Sequence, residues 1–171
     1  QGWNVVATMR TPRPLPELTG AKVVALDVTD RRSIEDAIRS GIEAFGGIDA
    51  VVNNAGIGLL SALEATPEKT IREVFETNTF GVMAVSQAIV PYFRERRAGT
   101  LINVTSSVGI VPMPLVTVYC ASKYAIEGFT ESLAYELSAF GIRTKIVQPG
   151  YGPTTAFTQN GMARMDGLLP P

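Results

Sequence analysis

The sequence predicts an α/β fold built on a doubly wound parallel sheet. Short β-branched runs alternate with longer amphipathic patterns along the chain, as they do where helices connect parallel strands. The run at 23–26 is apolar at every position, which is typical of a strand covered on both faces by helices. A chain of 171 residues can form one domain with a hydrophobic core. We therefore expect a single domain over 1–171.

The predicted elements are bounded by residues that start or stop helices. Asp30 is a good N-cap, Thr66 followed by Pro67 suits the start of a long helix, and Gly141 is a natural helix stop. We expect strands at 4–9, 22–26, 49–52, 100–104 and 143–147, and helices at 30–45, 66–97 and 118–140. The segment 151–171 is rich in Gly, Pro, Thr and Met with little periodicity, and we interpret it as a loop or lid.

The composition excludes several kinds of chemistry. The chain has no histidine, which removes Ser-His-Asp and Cys-His catalysis and any His-containing metal site, and we predict no metal. The net charge is -1 with no basic patch, so we expect no nucleic-acid partner. No apolar run reaches the ~18 residues of a membrane span. The single cysteine, Cys120, fits a reducing compartment such as the cytoplasm.

Tyr119 and Lys123 are the first candidates for proton chemistry. They lie four residues apart in a helical pattern, so they share one face. A nearby ammonium favours the phenolate, and bringing the phenol close to neutrality requires roughly 3 pH units, or about 4 kcal/mol. The alternative is a solvated helix face that carries two unrelated residues.

Polar residues at the carboxyl ends of predicted strands form a second group of candidates. Ligands bind at this edge of a parallel sheet. Ser106, thirteen residues before Tyr119, could hydrogen-bond a substrate carbonyl, although Ser107 is a rival and either hydroxyl could simply cap a turn. The small residues and amides of 53–56 let a backbone approach a ligand, or form an ordinary turn.

Asp27 and Asn78 have both a functional and a structural interpretation. Asp27 ends the second strand, where it could meet the edge of an adenine ring or close a turn with Asp30. Asn78 lies inside a helical pattern although asparagine is a poor helix former. Its amide could bond a neighbouring backbone group or hold a water, or it could be a surface residue with no role.

Taken together, the order and spacing of these residues resemble the short-chain dehydrogenase/reductase family. The most telling stretches are 53–56 and 119–123, and 127–134 also looks like the active-site helix of that family. The resemblance covers about residues 2 to 155. It implies a Rossmann-like sheet in which the family's first strand with its Gly-rich turn would precede residue 1, and its C-terminal part would follow residue 171.

The resemblance also implies roles for individual residues. Tyr119 would be the general acid/base, and Lys123 would lower its pKa and bind the nicotinamide ribose. Ser106 would orient the substrate oxygen, and Asn78 would support a water in the proton relay. Contacts to the cofactor would come from Asp27 and Val28 at the adenine, from Asn54, Ala55 and Gly56 along the dinucleotide, and from Pro149, Gly150 and Thr154 near the nicotinamide.

The choice between NAD and NADP depends on the residues at the end of the strand expected at 4–9. An acidic residue there would bond the ribose 2′-hydroxyl of NAD. Met9 and Arg10 stand there instead, and a cation suits a 2′-phosphate. We therefore expect NADP(H), with NAD possible, unless Arg10 is only a solvated loop residue.

Two functions remain open from the sequence. The first is an enzyme that interconverts a small lipophilic alcohol and a ketone or aldehyde, because the tail contains apolar residues such as Phe157 and Met162. The second is a non-catalytic nucleotide-sensing or interaction module on the same scaffold. The family resemblance implies a homodimer or homotetramer.

Overall fold

A computed structural model describes residues 2–14, 16, 18–150, 152 and 168, in which strands and helices alternate. Two short 3₁₀ turns lie at Leu63–Ala65 and Ser107–Gly109. The strands are β1 Val6–Met9, β2 Lys22–Ala25, β3 Ala50–Asn53, β4 Gly99–Val104 and β5 Ile142–Val147, and the helices are α1 Arg31–Phe45, α2 Glu68–Phe75, α3 Gly81–Arg96 and α4 Thr117–Ser138.

All strand pairs in the described part of the chain are parallel. β1 pairs with β2, placing Val6 opposite Lys22, and β4 lies between β3 and β5. The two groups of strands are separated by a cavity of about 670 Å³ lined by residues of both β1 and β3. The predicted α/β fold with parallel strands connected by helices is therefore confirmed.

The first helix forms as its end signals predict. The side chain of Asp30 accepts a hydrogen bond from the backbone N–H of Arg32, and Gly46 ends α1 with a left-handed φ of 75°. Its buried face consists of Ile34, Ala37 and Gly41. Local capping and periodicity agree here, so both bounds of α1 follow from sequence.

The long helix predicted over 66–97 differs from expectation at its start and in its middle. Thr66 does not cap it, because its hydroxyl lies 2.7 Å from the carbonyl oxygen of Ala62 and 2.8 Å from Ser61 Oγ, and α2 begins only at Glu68. A five-residue π-helical turn over 76–80 then separates α2 from α3. Such turns are rare and occur mostly at functional sites. This one contains Asn78.

A buried polar network joins the sheet to the helices on one face. Asn53 donates to Asn103 at 2.8 Å, and Asn103 donates to Thr130 of α4 at 2.7 Å. On the opposite face Val52 and Val147 are 56% and 44% exposed. Within the described residues, helices therefore cover one face of the sheet, whereas we expected them on both faces.

Two apolar clusters form the core, and the second positions the site. The first lies under the middle of β4 and includes Phe93 and Leu101, both fully buried. The second lies toward the carboxyl end of the sheet and packs Leu59 and Val74 against the ring of Tyr119. That ring is therefore held by core packing.

Candidate active site

Helix α4 carries Tyr119 and Lys123 on its buried face. Their exposed fractions are 8% and 5%, and Lys123 Nζ lies 5.9 Å from the centroid of the tyrosine ring. The prediction that the two side chains share a face is confirmed. The alternative of a solvated helix surface is wrong, because both lie against the end of the sheet.

The ammonium of Lys123 is tied to the end of β4. Its Nζ donates a hydrogen bond to the carbonyl oxygen of Val104 at 3.0 Å. Burial lowers the pKa of Lys123 to about 8, and the negative charge of Glu127 opposes that shift. At pH 7 the lysine therefore still carries its positive charge.

Ser106, and not its neighbour, faces the tyrosine. It follows β4, is half-buried and hydrogen-bonds the Tyr119 side chain, whereas Ser107 is exposed. Burial raises the pKa of the Tyr119 phenol, and the bond from Ser106 opposes this with a smaller effect. Burial is the larger influence because it removes the phenolate from water. The predicted lowering of this pKa by Lys123 stays a prediction.

Asn78 connects the loop after β3 to helix α4. Its side chain is fully buried; Oδ1 accepts from the N–H of Ile57 at 2.8 Å, and Nδ2 donates to the Ile57 carbonyl at 2.9 Å and to Ser122 Oγ at 3.1 Å. The interpretation of Asn78 as a residue that bonds a backbone group is confirmed, and the interpretation as a surface residue with no role is wrong. A role with a relay water stays a prediction.

The residues of the 53–56 segment differ in their surroundings. Asn53 is buried in the polar network, while Asn54 and Ala55 are exposed. A Cβ at Gly56 would lie 3.3 Å from Asn78 Oδ1 and 3.6 Å from Lys123 Nζ. Glycine therefore lets this loop approach the lysine closely.

The residues predicted at the adenine end also lie near each other. Arg10 follows β1 and Asp27 follows its neighbour β2. Asp27 Oδ1 accepts from the N–H and hydroxyl of Thr29, and these bonds, followed by the charge of Arg10, lower the pKa of the carboxyl. The turn interpretation of Asp27 is confirmed and its adenine contact stays a prediction. The side chain of Val28 packs on Gly81, where a Cβ would come within 2.7 Å.

The remaining predicted cofactor contacts follow β5. Pro149 and Gly150 are exposed, and the Pro149 carbonyl accepts from the N–H of Ser107 at 2.9 Å, which places them beside Ser106. Thr154 lies outside the described residues, as does the predicted lid over 151–171 apart from Gly152 and Leu168.

Glu127, for which no role was predicted from its place in the stretch 127–134, lies four residues after Lys123 on the buried face of α4. It is 7% exposed and accepts hydrogen bonds from Thr105 Oγ1 at 2.5 Å and Gln148 Nε2 at 3.0 Å. Its position continues the four-residue spacing of Tyr119 and Lys123, and that spacing was the available signal.

Two further features bear on the class of the protein. The described part of the chain contains no cluster of acidic or cysteine side chains suited to hold a metal ion. None of its helices has the length and apolarity needed to cross a membrane. A parallel α/β sheet whose carboxyl edge gathers a serine, a tyrosine and a lysine defines a Rossmann-like protein with a Ser-Tyr-Lys site.

Comparison with known proteins gives the family. The chain matches the short chain dehydrogenase family over residues 1–164 and belongs to it. It is 39% identical to an uncharacterized oxidoreductase of Schizosaccharomyces pombe, over 91% of this chain and 67% of that protein. It is 38% identical to a 3-ketodihydrosphingosine reductase of Bacteroides thetaiotaomicron, over 94% of this chain and 58% of that protein.

Solved structures give the same result for the fold. A short-chain dehydrogenase from Streptomyces avermitilis aligns with a TM-score of 0.81 at 30% identity, covering 97% of this chain and 69% of that one. ElxO with NADP bound aligns with a TM-score of 0.83 at 26% identity, covering 96% and 68%. The chain thus spans about two thirds of these proteins.

Proposed function

We propose that the full-length protein is an NADP(H)-dependent oxidoreductase that interconverts an alcohol and a ketone or aldehyde. The observation that carries this proposal is the convergence of Ser106, Tyr119 and Lys123 at the carboxyl end of β4. A module that only senses a nucleotide has no need of a buried phenol that bonds a serine beside a buried ammonium.

The three side chains have distinct tasks in carbonyl reduction. The substrate oxygen accepts hydrogen bonds from the hydroxyls of Ser106 and Tyr119, which fixes the carbonyl. The nicotinamide supplies the hydride to the carbonyl carbon when bound. Tyr119 gives its phenolic proton to the developing alkoxide, leaving an alcohol and a phenolate, and the phenolate regains a proton from solvent. Oxidation of an alcohol runs the same proton transfer in reverse.

Lys123 stabilises the phenolate that this transfer creates. Its ammonium is held by the Val104 carbonyl, 5.9 Å from the centroid of the Tyr119 ring. Because burial alone raises the pKa of Tyr119, a neighbouring positive charge is needed to bring the pKa down to working pH. We assign Lys123 the further task of hydrogen-bonding the nicotinamide ribose, near Gly56.

NADP(H) is the cofactor that the adenine end favours. Arg10 is exposed directly after β1 and can meet a 2′-phosphate, while Asp27 and Val28 follow the neighbouring strand. The similarity to ElxO with NADP bound supports this choice. We assign Asn54, Ala55, Pro149 and Gly150 to the cofactor as well, because they follow strands β3 and β5 at the same edge of the sheet.

A lipophilic alcohol or ketone is the substrate class that the loop after Ser106 fits. Ile110, Val111 and Met113 follow that serine and are 52%, 61% and 58% exposed. Contiguous exposed apolar residues mark binding surfaces. The relative named as a reductase of 3-ketodihydrosphingosine, which is a keto compound, agrees with this class.

We further propose a homodimer in a reducing compartment, the cytoplasm. A groove between α3 and α4 is lined by apolar side chains that include Phe80, Met83 and Phe129, and Phe80 is 53% exposed. A second copy related by a two-fold axis would cover this surface with its own equivalent. The one cysteine, Cys120, is buried and unpaired, which suits a reducing compartment.

The test uses the full-length protein, NADPH and a panel of aliphatic and aromatic ketones, with the absorbance of the reduced nicotinamide as readout. We expect turnover in the wild type and a kcat/KM lower by about 10²- to 10⁴-fold in Tyr119→Phe, because a general acid contributes this much. NADPH binding, followed by nicotinamide fluorescence, should be kept in the variant. Binding without turnover in the wild type would leave the nucleotide-sensing module as the function.

A further inference from the structure

Glu127 is a buried acid that the proposed mechanism does not use. It lies one helical turn after Lys123, so Tyr119, Lys123 and Glu127 form a continuous row on the inner face of α4. Carboxylates are rarely buried unless they are paired and hydrogen-bonded. A 7% exposed glutamate at this place therefore needs partners that compensate for its loss of water.

Two of its partners come from the ends of two strands. Thr105 Oγ1, next to the substrate-facing serine, donates to Oε1 at 2.5 Å, and Gln148 Nε2, at the end of β5, donates to Oε2 at 3.0 Å. A Cβ at Gly109 would come within 3.2 Å of Oε1 and 3.4 Å of Lys123 Cβ. The chain thus leaves space for this pair and fixes the carboxylate in one orientation.

We propose that Glu127 is a positioning residue whose buried negative charge keeps the ammonium of Lys123 protonated beside Tyr119. The inference rests on the proposed function for its catalytic consequence, while its electrostatic part concerns the folded protein alone. Glu127 does not touch the substrate and acts only through Lys123.

The surroundings of Lys123 support this role. Burial is the larger influence and lowers the pKa of the lysine to about 8, and the charge of Glu127 raises it. In the described part of the chain, the titratable groups that face Lys123 are Tyr119 and Glu127, both on α4. The other packed elements offer neutral groups, namely the Val104 carbonyl and the amide of Asn78 beside Gly56.

The consequence is a change in the pH range over which the site works. Without the glutamate, burial acts on Lys123 unopposed, so the ammonium loses its proton at a lower pH. The phenolate of Tyr119 then loses its stabilising charge, and activity falls on the alkaline side of the profile. A purely structural role for Glu127 would lower the melting temperature and leave the pKa of Lys123 unchanged.

The first experiment measures the lysine directly and needs no turnover. Full-length protein with ¹³Cε-labelled lysine is titrated by NMR, and the signal of Lys123 is assigned by its loss in Lys123→Met. We expect Glu127→Gln, which keeps the size and a hydrogen-bonding end group, to lower the pKa of Lys123 by roughly 1 unit. The matched control is Glu131→Gln, an exposed acid one turn further on, which should leave it unchanged.

Two further variants separate charge from folding. Thr105→Val removes one bond to the carboxylate and keeps its charge, so the pKa of Lys123 should move far less than in Glu127→Gln. If Glu127→Gln does not fold, Glu127→Asp moves the charge away and should give a smaller shift in the same direction. An unchanged pKa of Lys123 in a folded variant at position 127 overturns the inference.

The second experiment links the lysine to catalysis. With NADPH and a ketone that the wild type reduces, the alkaline limb of kcat/KM should move to lower pH in Glu127→Gln and should not move in Glu131→Gln. Coinciding profiles for Glu127→Gln and wild type contradict the inference. A wild type that reduces no ketone contradicts the proposed function instead, and the NMR titration still decides the role of Glu127.

Discussion

The two ends of the proposed cofactor site differ in how firmly they are built. At the end of β4, Tyr119 and Lys123 are buried, and every neighbouring polar group described above has a named partner. At the end of β1 and β2, Arg10 is exposed and the carboxylate of Asp27 accepts its hydrogen bonds from Thr29 in its own turn. The first end resembles a protein core, and the second resembles an ordinary loop surface.

This difference follows from what each end has to do. Charge that develops in a transition state is stabilised by groups already fixed in a water-poor site, so under the proposed mechanism we expect the burial of Lys123 to contribute to the chemistry although it costs stability. Recognition of a solvated phosphate needs a cation within reach, which an exposed side chain supplies. We therefore expect substitutions at the catalytic end to change both rate and stability, and those at the adenine end to change cofactor binding alone.

The largest effect expected is at Lys123. Lys123→Met should lower kcat/KM by roughly 10²-fold or more, because the phenolate loses its positive neighbour. The same change should stabilise the fold. Lowering the pKa of Lys123 from 10.5 to about 8 corresponds to about 3 kcal/mol of unfavourable burial, at about 1.4 kcal/mol for each unit.

The pH dependence of the unfolding free energy tests whether the charge of Lys123 destabilises the fold. The unfolded chain binds the lysine proton more tightly, so wild-type stability should rise between pH 8 and 10.5 as Lys123 loses its proton in the folded state. The advantage of Lys123→Met in urea unfolding is then largest below pH 8 and shrinks toward pH 10.5. If Lys123→Met is less stable than the wild type by the same amount at every pH, the buried charge of Lys123 does not lower the stability of the fold.

The next effect is at Asn78, whose amide joins the loop after β3 to α4. Asn78→Ala leaves the N–H and carbonyl of Ile57 and the hydroxyl of Ser122 without this partner, which should cost roughly 2–3 kcal/mol of unfolding free energy. Asn54→Ala, in the exposed part of the same loop, is the control and should change stability by less than about 0.5 kcal/mol. Similar losses in both variants would contradict the contrast between buried and exposed amides.

The sequence alone predicted the common face of the two central residues of the proposed site, but not the contacts that their neighbours make. The four-residue spacing of Tyr119 and Lys123 fixes their common face without any knowledge of the sheet. Ser107 was a rival to Ser106 from the residues alone and the family resemblance favoured Ser106, which the structure places beside the tyrosine. The role proposed for Glu127 depends on Thr105 and on Gln148, which follows β5, and both are distant from it in sequence.

The helix that contains Asn78 illustrates what local signals miss. Thr66 and Pro67 match the preferences for a helix start, yet the Thr66 hydroxyl bonds the turn before it. A π-helical turn inserts one residue without a distinct pattern, so periodicity predicts one continuous helix where the structure has α2 and α3. The burial that raises the pKa of the Tyr119 phenol could not be predicted for a similar reason: it is a property of the assembled core.

The adenine end provides a smaller effect, confined to binding. Arg10→Ala should raise the KM for NADPH by roughly 10-fold to 100-fold, because a charge-assisted bond to the 2′-phosphate is lost, and should leave the KM for NADH and the melting temperature nearly unchanged. Steady-state kinetics with both cofactors measure this. An equal rise for NADPH and NADH would mean that Arg10 does not meet the 2′-phosphate.

The smallest effect tests whether the constraints on α4 are confined to its inner face. Gly128 follows Glu127 in the chain but is exposed, and a Cβ there would meet no atom within 4 Å. Gly128→Ala should raise the unfolding free energy by about 0.5–1 kcal/mol through helix propensity and leave kcat and KM unchanged. Gly56→Ala adds the same methyl group beside Asn78 and Lys123 and should impair NADPH binding. Loss of activity in Gly128→Ala would mean that the outer face of α4 also shapes the site, which would contradict the view that only its inner face is constrained.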